Sequence, residues 1–215
     1  MIRDFTAYLR ERFRPSIFGP TTALLVTAAL WATGATRTSA MMLESVGLAA
    51  LLLLQFRLWD DLEDRERDLA AYPDRVLVRG LPAPFRRALA ALGLTNVALL
   101  GATGSRAALV GLMVLDLAFW VAYRRMRPRL SDGVWRFQVL LLKYPALVGL
   151  LAAAIGTPLP GRLAVAALAT YASACVYEIL HNRQVTKLRW WSLKPTSSTQ
   201  PKTDGSSLLG PCKHG

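Results

Sequence analysis

Residues 40–58 read AMMLESVGLAALLLLQFRL, and residues 59–68, which follow without a break, read WDDLEDRERD. The first stretch carries only two charges, Glu44 and Arg57, over nineteen residues. As an α-helix it reaches about 28 Å, close to the ~30 Å hydrocarbon thickness of a bilayer. The second is the most acidic piece of the chain. Working outward, five more apolar blocks of similar length appear: Ile17–Ala35, Arg87–Gly104, Ala107–Tyr123, Phe137–Ile155 and Gly161–Leu180. Of the 215 residues 53% are hydrophobic and 19% charged, below the ~25% charged of an ordinary soluble domain. The reading is an all-α, polytopic membrane bundle with six transmembrane helices. It excludes a soluble globular enzyme, a disordered chain and a disulfide scaffold. The two cysteines, Cys175 and Cys212, form no C-x-x-C pair.

The net charge of +12 is distributed by loop. Arg3, Arg10, Arg12 and Arg14 precede the first block. Arg65, Arg67, Arg75, Arg79 and Arg86 fill the second loop, and Arg124, Arg125, Arg127, Arg129 and Arg136 the fourth. The opposite loops carry one arginine each, Arg37, Arg106 and Arg162. This alternation is that of the positive-inside rule, and it predicts an integral protein of a bacterial inner membrane with both termini cytoplasmic. The arginines sit at span ends and not on one aromatic-interleaved face, so membrane lipids, not nucleic acid, are the expected surroundings. The first block is longer than the roughly 7–15 apolar residues of a secretory signal and is read as a retained helix. Residues 1–191 form the predicted transmembrane domain. In residues 192–215, 14 of 24 are Ser, Thr, Pro or Gly, the composition of a disordered polar tail.

Seven of the 14 acidic residues lie within Asp60–Asp74. On one continuous helix Asp60, Asp61, Asp64 and Asp68 share an arc of about 100°, whereas Glu63 and Glu66 point elsewhere. Carboxylates on one arc repel unless a cation sits among them, and Mg²⁺ suits such a set because it completes its shell with water and phosphate oxygens. A solvated, mixed-charge helix end beside a membrane is the alternative reading of the same pattern.

The run Asp60-Asp61-Leu62-Glu63-Asp64-Arg65-Glu66-Arg67-Asp68, followed by Arg75-Val76-Leu77-Val78-Arg79-Gly80, resembles the first aspartate-rich signature of the UbiA-type intramembrane prenyltransferases, N-D-x-x-D-x-x-x-D and then R-P-L-x-x-G. Asp60 stands in place of the asparagine and Val76 in place of the proline. Arg14-Pro15 resembles the family's N-terminal arginine–proline, and the likeness extends over roughly residues 10–185. Tyr177-Glu178-Ile179-Leu180-His181-Asn182 occupies the place of the family's second acidic motif. The resemblance implies an all-helical fold and Mg²⁺-dependent transfer of an isoprenyl group from a prenyl diphosphate to a lipophilic acceptor. It implies Asp61, Asp64 and Asp68 as catalytic residues and metal ligands, with Glu178 and Asn182 completing the metal set. Lys143, Arg14 and Arg75 are implied to hold the diphosphate. Family members have about nine spans against six here.

Inside the spans, Asp116 costs ~2.5–3.5 kcal/mol at the bilayer centre on insertion scales and is expected to face a cavity or a partner, Asn96 or a neighbouring helix. Gly47, Gly93, Gly111 and Gly149 are expected to permit close helix contact. Three functions follow: a prenyltransferase, a catalytically inactive short homologue that binds lipid diphosphate or a partner, and a divalent-cation transporter. A homo-oligomer is compatible with each.

Overall fold

The computed structural model describes residues 2–36, 38–126 and 140–192, all of whose regular structure is helical. The elements are α1 (Ile2–Arg12), α2 (Pro15–Thr33), α3 (Ser39–Glu63), α4 (Arg65–Ala71), α5 (Val76–Arg79), α6 (Pro82–Ala102), α7 (Arg106–Val121), α8 (Lys143–Ile155) and α9 (Pro160–Ser192). A π-helical turn, Ala122–Met126, continues α7. The helix starts follow local chemistry. Pro15 and Pro82 occupy first-turn positions of α2 and α6, where a missing N–H is harmless. The Ser105 hydroxyl accepts from Ala108 N at 3.2 Å and caps α7. α2 ends at Gly34, whose φ of 65° is left-handed and costs glycine nothing.

Four helices are long and apolar enough to cross a membrane: Pro15–Thr33, Ser39–Glu63, Arg106–Arg125 and Pro160–Leu180. Two of the six expected spans fall short of that standard. α6 has 21 residues but begins at Pro82, five residues before the expected Arg87, and takes in Arg86, Thr95 and Asn96. The described part of α8 has 13 residues, about 20 Å of helix. Residues 137–139 of the expected fifth span, and residues 193–215 of the expected tail, lie outside the described residues.

Two compact units are distinguished, Met1–Tyr177 and Glu178–Gly215. In the first, α3 is the central element and packs on α2, α6 and α8, while α2 and α7 also pack on α8. The main core joins Leu25 and Ala29 of α2, Leu52 and Phe56 of α3, Leu112 and Phe119 of α7, and Leu147 and Leu151 of α8. A second, smaller core forms where α1 lies against the end of α3, from Tyr8, Leu54, Leu58, Leu77 and Phe85. The outer faces are apolar as well: Leu43, Leu94 and Leu168 are about 70% exposed, a surface suited to lipid and not to water.

Candidate functional site

The acidic run is not one continuous helix. α3 stops at Glu63, Asp64 stands at the junction, and α4 resumes at Arg65, so the single arc of four carboxylates breaks in two. Asp60 and Asp61, on the last turn of α3, are 8% and 5% exposed.

Asp61 is held from two elements. Arg12 on α1 pairs with both carboxylate oxygens, its Nε donating to Oδ2 at 2.9 Å. The Tyr8 hydroxyl, one turn earlier on α1, donates to Oδ2 at 3.0 Å. Arg57, one turn earlier on α3, lies 3.3 Å from Oδ1. Burial, and then the adjacent carboxylate, raise the Tyr8 phenol above its ordinary value, so it stays a donor at physiological pH. Burial alone would lower Arg12, but its hydrogen bond and charge contact with Asp61 outweigh this and hold it above its usual range.

Asp60 has a different pair of partners. Lys143, at the start of α8 and 7% exposed, forms an ion pair with Oδ2, and the Tyr123 hydroxyl donates to Oδ1. Beneath this layer Trp59 and Phe119 flank the Tyr123 ring, with centroids 5.7 and 5.8 Å away. The ends of α1, α3 and α7 and the start of α8 therefore meet at one polar end of the first unit.

Asp68 and Asp64 are bound locally. Asp68 pairs with Arg75, whose guanidinium also lies over the Tyr72 ring, 3.9 Å from its centroid. Asp64 lies 3.8 Å from Arg67. Arg65 fastens α4 to α5 by donating to the carbonyls of Leu77, Val78 and Gly80 at 3.1–3.3 Å. Val76 N donates to Glu11 Oε2 at 3.1 Å, which links α5 to α1. Proline, expected at 76 from the resemblance, would have no N–H to give.

The other expected site residues are placed elsewhere. Arg14 is exposed at the N-cap of α2, so the structure puts Arg12 and not Arg14 on the acidic run. Glu178 belongs to the second unit, and the side chain of Asn182 lies outside the described residues. Among the described residues no three His, Cys, Asp or Glu side chains converge as a metal site would require. No family model, curated protein or solved structure matches the chain.

Sequence reasoning overlooked Tyr8, Arg12, Arg57 and Tyr123 as site residues. The i,i+4 spacing of Arg57 and Asp61 was the one local signal available. Tyr8, Arg12 and Tyr123 reach the acids across 49 to 63 residues of chain.

Proposed function

We propose that this membrane protein binds an isoprenyl diphosphate at the polar end of its bundle and transfers the isoprenyl group to a lipophilic acceptor within the membrane, as a short relative of the UbiA-type prenyltransferases. One observation carries the anionic part of this reading. The polar layer sets two buried carboxylates, Asp60 and Asp61, against the buried Lys143 and the partly exposed Arg12 and Arg57, and the Nε atom of Arg57 is itself buried with no hydrogen-bond partner. An unspent positive charge and an unused guanidinium donor are what a phosphate oxygen satisfies. A groove of about 330 Å³ between α7 and α8, lined by Ala107, Gly111, Ala118, Ala146, Gly149 and Ala153, begins one turn from Lys143 and offers apolar room for the chain.

In this reading Arg12, Arg57 and Lys143 orient the diphosphate and stabilise its charge as it departs. The Trp59, Phe119 and Tyr123 rings keep water from the allylic carbon. A magnesium ion does not fit the arrangement as it stands, because among the described residues no three carboxylates converge and Asp60, Asp61, Asp64 and Asp68 each hold a cation of the chain itself. The bond to Asp68 takes one nitrogen of Arg75, and the other N–H groups of its guanidinium are those a phosphate oxygen would meet. The six-span topology with cytoplasmic termini belongs to the same proposal. Its support is that α1, the end of α3, the end of α7 and the start of α8 meet at one polar end; reporter fusions after residues 74 and 159 should lie on opposite sides.

The test is calorimetric titration of geranylgeranyl diphosphate into the detergent-solubilised chain, with Mg²⁺ and with EDTA. Saturable binding that falls at least tenfold in Arg57→Gln and Lys143→Gln is expected. Absence of binding under both conditions refutes the proposal. The complete pairing of the carboxylates favours a second reading, an inactive homologue that binds the lipid diphosphate without turnover. Binding without any prenylated product from a set of lipophilic acceptors would select it. A divalent-cation transporter has less support, since the described residues gather no metal cluster.

A further inference from the structure

Away from the polar end, one acid stands within the membrane-spanning helix Arg106–Arg125. Asp116 comes ten residues after Arg106 and eight before Arg124, about 15 and 12 Å along the axis, so neither arginine reaches it along the helix. From α3, Gln55 Nε2 donates to Asp116 Oδ1 at 2.9 Å. Gln55 is buried, and its own carbonyl accepts from Asn96 Nδ2 on α6 at 2.7 Å. That bond turns the Gln55 amide N–H toward the carboxylate. One oxygen of Asp116 is thereby held. The other, Oδ2, accepts from no described residue and is not a buried atom.

Among the described residues no cation answers this charge. Asp60, Asp61, Asp64 and Asp68 each pair with an arginine or with Lys143, whereas no basic group lies within ion-pair distance of Asp116. A carboxylate at bilayer depth is neutralised by a proton or by a partner, and one left without a partner marks a place for a ligand. Asp116 is itself partly exposed, unlike Gln55 and Asn96 behind it. Its helical neighbours Met113, Leu117 and Trp120 are 49–61% exposed, so the lipid phase is the path to Oδ2. Trp120 follows Asp116 by four residues on the same helix face, and a helical side chain leans toward the turn before its own Cα. The half-exposed indole is thus set against the turn that carries the carboxylate.

We propose that Asp116 and Trp120 form a binding site for an organic ammonium on an apolar body, entered sideways from the bilayer. Oδ2 supplies the counter-charge, and the indole face supplies the cation–π contact by which alkylated ammonium groups are recognised. A single carboxylate oxygen does not serve a hard metal ion, which takes six or more oxygens. Gln55 is the positioning residue, since it fixes which oxygen faces outward. The site does not depend on diphosphate binding at the polar end.

The test compares 4-(trifluoromethyl)benzyltrimethylammonium with its neutral isostere, in which carbon replaces nitrogen. Both are titrated by ¹⁹F NMR into the full chain in an uncharged detergent, against protein-free micelles. The cation should bind saturably and about tenfold more tightly than the isostere. Asp116→Asn keeps the side-chain size and the bond from Gln55 but removes the charge, and the preference should fall to within about twofold. Trp120→Leu, at an exposed position, should weaken the cation about fivefold and leave the isostere nearly unchanged. Circular dichroism checks that each variant is folded, and Trp120→Leu decides alone should Asp116→Asn not fold. Equal binding of the two probes, no saturable binding of the cation, or full preference retained in either folded variant would each overturn the proposal.

Discussion

Asp60 and Asp61 come from the same nine-residue run as Asp64 and Asp68, but the two pairs live under different physics. The first pair is buried on the last turn of α3 and bound by side chains 49 to 83 residues away, apart from Arg57. The second pair lies past the helix break, more exposed, and is bound by Arg67 and Arg75 within seven residues. Acid spacing alone treats the four as equivalent. Burial separates them, because a charge out of water needs its partner far more than one that water can still reach.

The largest effect is expected at Asp60→Asn, which leaves Lys143 buried without its carboxylate partner and still within reach of the Arg57 charge. Breaking a buried pair costs about 3–5 kcal/mol, and thermal or denaturant unfolding in detergent should show it. The double variant Asp60→Asn with Lys143→Met should recover most of that loss. If it does not, the pair is no coupled unit. Asp61→Asn comes next, at about 2 kcal/mol, because Arg12 and Arg57 are partly exposed and regain hydration when their partner is lost. The local pair is weaker: Asp68→Asn or Arg75→Gln should cost about 1 kcal/mol, measured the same way. Smallest are Asp64→Asn, Glu63→Gln and Glu66→Gln, each within about 0.5 kcal/mol and with little change in diphosphate affinity. Were Asp64→Asn to match Asp61→Asn in both readouts, the division of the run would be wrong and the acids would act as one diffuse patch.

Apolar block length made the helices at α2, α3, α7 and α9 legible, because composition along a stretch is a local property. The start of α6 was misplaced by five residues because Arg86 read as loop, whereas Pro82 sets the helix going before it. Within the site, Asp60 and Asp61 were found by their crowding and Lys143 only through the family resemblance. Their mutual contact was not, since nothing local in residues 60 and 143 records it. Asp116 shows the same limit. The expectation named Asn96 or a neighbouring helix as its partner, and the structure interposes Gln55, so that both ideas were half of one arrangement.

At the end of the unit opposite the acids, Leu159 N donates to the carbonyl of Ala32 at 2.9 Å. The last carbonyls of a helix have no partner within it, so Ala32 must find one from outside. That partner lies 127 residues further along the chain. Until the turn between α8 and α9 has been made, water must serve that carbonyl, so this end of α2 takes its final hydrogen bond only once residue 159 is in place. A helix begun early in the chain is thus completed by a residue made late in it.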